Sequence, residues 1–192
     1  RFWLRYGVDH QHGGIMTCLD QNGAIVDTDK GVWQQARFAW LMAELYNHVE
    51  PRGDWLELAV NTAAFISSCA FDPADRRMWF QLTQDGRPLR KRRYAFSESF
   101  AAIAYGELAK ATGDASYRDR AITCFSSFIK QMSLPQDPAP KWTDVRPTRG
   151  LGFPMITLNT AQELRESIGW SDANTWIDQS LSLIHISEPT RP

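Results

Sequence analysis

The sequence alternates pairs of helical segments with longer loops that each contain a tight hairpin turn. Asn22-Gly23 and Asp85-Gly86 lie between apolar stretches, and such dipeptides supply the positive φ angles of a two-residue hairpin. Apolar residues recur at helical spacing from Asp29 to about Val49 and from Asp54 to about Phe71. The alternation repeats at roughly fifty to sixty residues, which indicates stacked helical hairpins in a solenoid or a closed toroid.

The later part of the chain predicts four more helices. One ends at Gly113, as expected of a C-terminal glycine, and the next begins near Asp114. We expect the side chains of Asp54 and of Ser97, or a neighbour of Ser97, to cap their helices. Prolines across residues 134–154 exclude a continuous helix there and predict an extended connection. The last two helices are predicted over "MITLNTAQELRESIG" and "SDANTWIDQS".

Charge and composition exclude several classes of partner. The chain has 192 residues, enough for one domain or for part of a larger one, and its formal net charge of -1 does not favour nucleic acid. No apolar run approaches the roughly 20 residues of a membrane span. The cysteines are odd in number and widely spaced, which argues against a disulfide framework and a paired-cysteine zinc site. A reducing, cytoplasmic location follows as an expectation for Cys18, Cys69 and Cys124.

A permanent charge interrupts the aromatic side of the helix predicted over "KGVWQQARFAWLMAELY". Helical geometry puts Arg37 on one face with Trp33, Trp40, Leu41 and Glu44. Two interpretations stay open on this evidence. Arg37 lies along the surface, with its head stacked on Trp or paired with Glu44. Alternatively, it forms a fixed, charged fork at the floor of a sugar pocket that has an aromatic wall.

Other polar residues give weaker signals. Tyr94 either packs its ring or directs its hydroxyl into a central cavity, while Glu98 suits the positive end of a helix dipole. The spacing of His10 and His12 could serve a metal only on an extended segment, and no third ligand is near, so no metal site is predicted. His48 is favourable at a helix C-terminus. Neither a nucleophile elbow, a phosphate loop nor a dinucleotide fingerprint occurs.

Three segments carry a family resemblance. They read "FWLRYGVDHQHGGIMTCLDQNGAIVDTDKGVWQQARFAWLMAELY", "FQLTQDGRPLRKRRYAFSESF" and "GFPMITLNTAQELRE". In this order they resemble the N-acylglucosamine 2-epimerase family, which includes renin-binding proteins and, more distantly, cellobiose 2-epimerases and mannose isomerases. The resemblance extends from Phe2 to about Trp176. "PMITLN" resembles the N-acylglucosamine branch, because the cellobiose branch usually has a histidine where Asn159 stands.

The resemblance implies an all-α fold, a partial (α/α)6 toroid of helical hairpins with short β-hairpins in the loops. The sugar would bind at the mouth of the central cavity. Arg37 matches the arginine of a "W-x-x-G-R" motif that binds sugar oxygens, although Ala36 replaces its glycine. The residues that the resemblance places at the substrate are Trp33, Arg37, Tyr94, Met155 and Asn159.

The implied reaction inverts C2 of an open-chain N-acylglucosamine through an enediolate. This chemistry needs a proton acceptor and a proton donor on opposite faces of the sugar, usually histidines, and a fixed cation for the enediolate oxygen. Arg37 is the expected cation. In the family the two histidines lie in the half that follows Ser180, so we expect the 192-residue chain alone to be inactive and to fold poorly. The resemblance implies no cofactor, often a homodimer, and in some members activation by ATP.

One boundary is predicted, after residue 180. Residues 1–180 form the N-terminal half of the epimerase-like domain. Leu181 to Arg191 can be back-translated to a sequence that resembles a transposase adapter, so we predict that residues 181–192 are not native.

Alternative functions remain at this stage. A cellobiose 2-epimerase or a mannose aldose-ketose isomerase would share the enediolate chemistry. A hydrolase on the same toroid would need paired carboxylates, but the acidic residues are expected mostly at helix caps and exposed faces. A non-catalytic interaction protein is the alternative from a different class.

Overall fold

The computed structural model describes residues 1–91, 94–133, 145 and 150–187, and most of the proline-rich stretch 134–149 lies outside them. The described part is mostly helical, with short strands in the loops. None of its helices combines the length and apolar character needed to cross a membrane. The helices are α1 Phe2–Tyr6, α2 Val32–His48, α3 Gly53–Cys69, α4 Phe96–Thr112, α5 Ala115–Ser133, α6 Gly152–Ile168 and α7 Ala173–Ser187.

Six of these helices form three consecutive hairpins, α2–α3, α4–α5 and α6–α7. Helices α2, α4 and α6 pack on one another in that order, and each is backed by the helix that follows it. This arrangement confirms the predicted partial toroid. Helix α4 lies in the middle, which explains why eleven of its seventeen residues are buried.

Helices α2, α4 and α6 run parallel to one another. Trp33 near the start of α2 contacts Phe96 at the start of α4, whereas Asn47 near the end of α2 contacts Glu107 near the end of α4. A Cβ on Gly106, near the end of α4, would meet side chains close to the end of α6. We call the shared N-terminal ends of α2, α4 and α6 the mouth, and their C-terminal ends the base.

Two small antiparallel sheets lie at the mouth, as the turn dipeptides predicted. Strands β1 Cys18–Leu19 and β2 Ile25–Asp27 form a hairpin, and β3 Lys30–Gly31, β4 Gln81–Leu82 and β5 Pro88–Arg90 form a three-stranded sheet. Gly23 and Gly86 have φ of 92° and 89° in the two turns, a conformation that glycine adopts readily. Strand β3 leads directly into α2 and fixes its start beside β4.

Helix ends follow the predicted glycines more closely than the predicted caps. Gly113 and Gly169 end α4 and α6 with φ of 71° and 60°. Asp54 lies in the first turn of α3, where its Oδ1 atom accepts a hydrogen bond from the amide of Trp55, as predicted, although the N-cap position itself is held by Arg52. The prediction for α4 is wrong, because this helix begins after Ala95 without a side-chain cap and Ser97 is buried inside it.

The last helices differ in extent from the prediction. Helix α6 begins at Gly152 and includes Pro154, because a proline in the first turn removes no intrahelical hydrogen bond. Helix α7 extends to Ser187, beyond the predicted boundary at residue 180. The assignment of residues 181–192 as non-native therefore stays a prediction.

Candidate functional site

Arg37 lies in the second turn of α2, near the mouth. Its side chain is exposed, and its Cζ lies 5.0 Å from the centroid of the Phe100 ring on α4. The aromatic partner is therefore Phe100 and not the tryptophans of its own helix. Among the described residues, no carboxylate forms an ion pair with Arg37, and Glu44 is close to His48 instead. The guanidinium is thus held on an aromatic face with its hydrogen-bonding edge open to solvent.

Trp33 lies at the centre of an aromatic group beside Arg37. Its ring contacts Phe80, Phe96 and Phe100, with centroid separations of 5.4, 5.9 and 5.6 Å. The indole Nε1 is buried and has no hydrogen-bond partner in the described part of the chain. A buried indole N–H usually has a partner, so this donor is an exception within the aromatic group.

Tyr94 joins the same group from the segment before α4. Its ring stacks on Phe96 at 5.8 Å with an interplanar angle of 17°. The chain of ring contacts from Phe100 through Trp33 and Phe96 to Tyr94 therefore connects two of the predicted site residues to Arg37.

Met155 and Asn159 are exposed residues in the first half of α6. No described contact joins them to the other predicted residues, but their helix α6 packs against α4 and is hydrogen-bonded to α2. The indole Nε1 of Trp40 on α2 donates to the Oε2 atom of Glu163 at 3.1 Å, one turn beyond Asn159. Phe128 also bridges the starts of α4 and α6, through Phe96 and Phe153.

A buried ion pair fixes the loops around the mouth, and sequence reasoning missed it. The Nζ atom of Lys30 donates to the Oδ2 atom of Asp9 and to the carbonyl of Gly13, both at 2.7 Å. It also lies 4.3 Å from the Phe65 ring centroid on α3. The Lys30 side chain is 0% exposed and that of Asp9 is 3% exposed. Since Lys30 immediately precedes Gly31 and α2, this pair anchors the segment that leads to Trp33.

The surroundings of Asp9 favour its charged form. Burial is the largest single influence and alone would raise the pKa of Asp9, but four hydrogen bonds oppose it, from the side chain of Lys30, the amides of His12 and Gln11 and the side chain of Gln84. Together they lower the pKa of Asp9 to about 2. The loop that carries His10 and His12 is therefore organised by Asp9, and neither histidine belongs to a described group of three close metal-ligand atoms.

Several acidic side chains lie inside the helix packing, contrary to the expectation of caps and exposed faces. Glu98 and Glu107 are 1% and 2% exposed. Glu98 accepts a hydrogen bond from the amide of Met78 at 2.9 Å, so it ties the loop before β4 to α4 instead of serving only the helix dipole. Burial raises the pKa of Glu98. Burial, followed by the neighbouring carboxylate of Glu107, raises the pKa of Glu44.

One cavity in the described part of the chain lies in a groove between α1, α2 and α3. It measures about 450 Å³ and has an apolar lining that includes Trp3, Phe38 and Trp55. None of the predicted site residues lines this groove.

Comparison with known families decides the classification of the chain. The family model described as N-acylglucosamine 2-epimerase matches residues 13–182. The chain belongs to the N-acylglucosamine 2-epimerase family. This match confirms the resemblance carried by the three sequence segments.

The family relatives are longer than this chain. N-acylglucosamine 2-epimerase of Rattus norvegicus is 35% identical over 172 residues, which are 86% of this chain and 41% of the relative. The chain therefore spans about two fifths of the length of the curated family members that it matches.

Two solved structures show the same helical arrangement. A sugar epimerase from a ruminal bacterium has a TM-score of 0.78 at 18% identity, covering 96% of this chain and 51% of its own. Cellobiose 2-epimerase from Spirochaeta thermophila has a TM-score of 0.78 at 21% identity, covering 96% and 49%. At these identities the likeness shows the fold, which is half of a toroid in this family member.

Proposed function

We propose that this segment, in a protein of its relatives' full length, belongs to a carbohydrate epimerase that inverts C2 of N-acylglucosamine to give N-acylmannosamine. The names and identities of the curated relatives support this assignment. The main support is the position of Arg37. Its guanidinium lies beside an aromatic wall at the mouth and has no carboxylate partner among the described residues.

The reaction explains why such a group is needed. A base removes the C2 proton of the open-chain aldose, and the electron pair moves through the C1–C2 bond to leave negative charge on the aldehyde oxygen. Return of a proton to the opposite face of C2 restores the aldehyde with inverted configuration. A preorganised cation at the developing oxyanion contributes about 3 kcal/mol or more. Arg37 fills this role because it stays charged and offers several donors in a fixed plane.

The other predicted residues bind the substrate in this proposal. Trp33 supplies part of the apolar wall beside Arg37. Tyr94 offers a hydroxyl beside the same group, and Asn159 offers an amide that can both donate and accept. Met155 is 56% exposed and gives the acyl group an adaptable apolar surface.

The catalytic bases are proposed to lie outside the 192 residues. None of the described histidines is placed beside Arg37 by a described contact: His10 and His12 belong to the loop organised by Asp9, His48 lies at the base, and His185 is on α7. We further propose a cytoplasmic homodimer that responds to ATP, as expectations of the family resemblance.

Hydrogen exchange at C2 tests the proposed function. N-acetylglucosamine is incubated in D2O with the full-length protein and with the 192-residue chain, and NMR follows deuterium at C2 and the appearance of N-acetylmannosamine. Conversion by the full-length protein, and none by the shorter chain, is expected. Faster reaction with cellobiose or with mannose would show that the substrate is the one acted on by the alternative family members. Absence of exchange with all three sugars would favour a non-catalytic protein.

A further inference from the structure

Three side chains that bind metals converge at the base, away from the sugar site. Glu44 and His48 lie one turn apart on α2, and Glu107 faces them from α4. One ligand atom from each lies within 4.8 Å of the other two. We propose that Glu44, His48 and Glu107, named here the base triad, bind a divalent transition-metal ion of the Zn²⁺ class, with water in the remaining position. This inference is independent of the proposed epimerase function.

The separations in the base triad are close to those of a coordinated metal. The Nε2 atom of His48 lies 3.6 Å from the Oε2 atom of Glu44 and 3.7 Å from the Oε2 atom of Glu107. Tetrahedral zinc with bonds of about 2.0–2.1 Å places neighbouring ligand atoms roughly 3.4 Å apart. The two separations that involve His48 are therefore within a few tenths of an ångström of the tetrahedral value, and the ligand atoms of Glu44 and Glu107 lie within 4.8 Å of each other.

The ligand types and their support also favour an ion of this class. One imidazole and two carboxylates form a mixed nitrogen and oxygen set that suits Zn²⁺ or Co²⁺ better than Mg²⁺ or Ca²⁺. The Nδ2 atom of Asn47 donates to the Oε2 atom of Glu107 at 2.7 Å and so orients this buried carboxylate. Oriented ligands of this kind are a regular feature of protein metal sites.

The charge around the base triad calls for a cation. Both carboxylates lie near the negative, C-terminal ends of parallel helices, and Glu163 of α6 adds to the negative potential at Glu44. A basic side chain already contacts the triad: the Nζ atom of Lys110 lies 3.0 Å from the Nε2 atom of His48. Lys110 is exposed and can swing into solvent, so a metal ion would replace its ammonium group at the imidazole.

Binding of Co²⁺ and Zn²⁺ to the full-length protein tests the proposal. Co²⁺ reports a tetrahedral site by its visible absorption, and Zn²⁺ is measured by calorimetry and by displacement of Co²⁺. One ion per chain is expected. Loss of an outer partner of a metal site costs roughly 10–100-fold in affinity, so His48→Gln and Glu107→Gln should cost at least as much. Lys110→Met should tighten binding, because it removes the competing cation.

Two controls separate this site from unspecific binding. His12→Gln breaks up the His10 and His12 pair, and Glu166→Gln removes an exposed carboxylate of α6. Both variants should bind Co²⁺ as the parent chain does. His48 is 46% exposed, so its substitution is not expected to disturb the core even if Glu107→Gln does.

Three results would overturn the proposal. The first is that Co²⁺ gives neither a visible absorption band nor a gain in helicity. The second is equal binding by the parent and His48→Gln chains. The third is binding that disappears in His12→Gln, which would place the ion at the mouth loop.

Discussion

Loss of the Lys30 ammonium should destabilise the described fold by about 3 kcal/mol. Breaking one partner of a buried pair typically costs about 3–5 kcal/mol, because the other charge stays buried. The lower end applies here, since Asp9 would keep the backbone donors of Gln11 and His12 and the side-chain donor of Gln84. Lys30→Met retains an apolar stem over the Phe65 ring, so the loss reports mainly the charge.

Urea unfolding of the full-length protein and of its Lys30→Met, Asp9→Asn and double variants measures this effect. Each single change leaves a buried polar group without its partner, whereas the double change removes both charges. The double variant should therefore lose less than the sum of the single losses, by a coupling within about 0.5–3 kcal/mol. A Lys30→Met loss within about 0.5 kcal/mol, the range of an ordinary surface substitution, would refute the reasoning.

The same pair predicts the direction of the pH dependence. The folded pKa of Asp9 lies below its unfolded value of 3.8, at about 2. Its contribution is therefore present above pH 3.8 and is lost as the pH falls through about 2, a change of about 2 kcal/mol. Lys30→Met should shrink this acid-induced loss. An unchanged acid transition would show that Lys30 does not set the charge state of Asp9.

Three further outcomes are expected. Gly106→Ala places a Cβ 2.6 Å from the Oγ atom of Ser167 where α4 meets α6, so urea unfolding should show a net loss of about 1 kcal/mol, whereas Gly53→Ala meets nothing within 4 Å and should be neutral. Trp40→Phe removes the hydrogen bond to the Glu163 carboxylate and should cost about 1 kcal/mol in the same assay, with an unchanged stability arguing against this link between α2 and α6. The 192-residue chain should give no N-acetylmannosamine from N-acetylglucosamine, and any measurable conversion would contradict the placement of the bases elsewhere.

Local signals in the sequence predicted the helices and turns well. The dipeptides Asn22-Gly23 and Asp85-Gly86 and the terminal Gly113 act through their own backbone angles, so their effect needs no knowledge of distant contacts. Helix starts were predicted less well. Arg52 and Ala95 precede α3 and α4 without side-chain caps, because packing between helices decides where these helices begin.

The partners of Arg37, Lys30 and His48 could not be predicted from the sequence, because they come from distant segments of the chain. Arg37 was expected near tryptophan or Glu44, yet it lies over Phe100, 63 positions later in the chain, a pairing set by the packing of α2 on α4. Lys30 has no helical or alternating pattern that would indicate its complete burial. The convergence of His48 with Glu107 likewise depends on the parallel register of the two helices.

The proposed role of Arg37 can be measured directly in the full-length protein. Arg37→Met removes the charge and keeps an apolar stem on the Phe100 ring, and Arg165→Met is the matched change of an exposed arginine on α6. The measurement is kcat for C2 inversion of N-acetylglucosamine, together with C2 deuterium exchange. Arg37→Met should lower both by about 10²–10³-fold, the cost of losing one oxyanion donor, while Arg165→Met leaves them unchanged. A kcat for Arg37→Met equal to that of Arg165→Met would contradict the account.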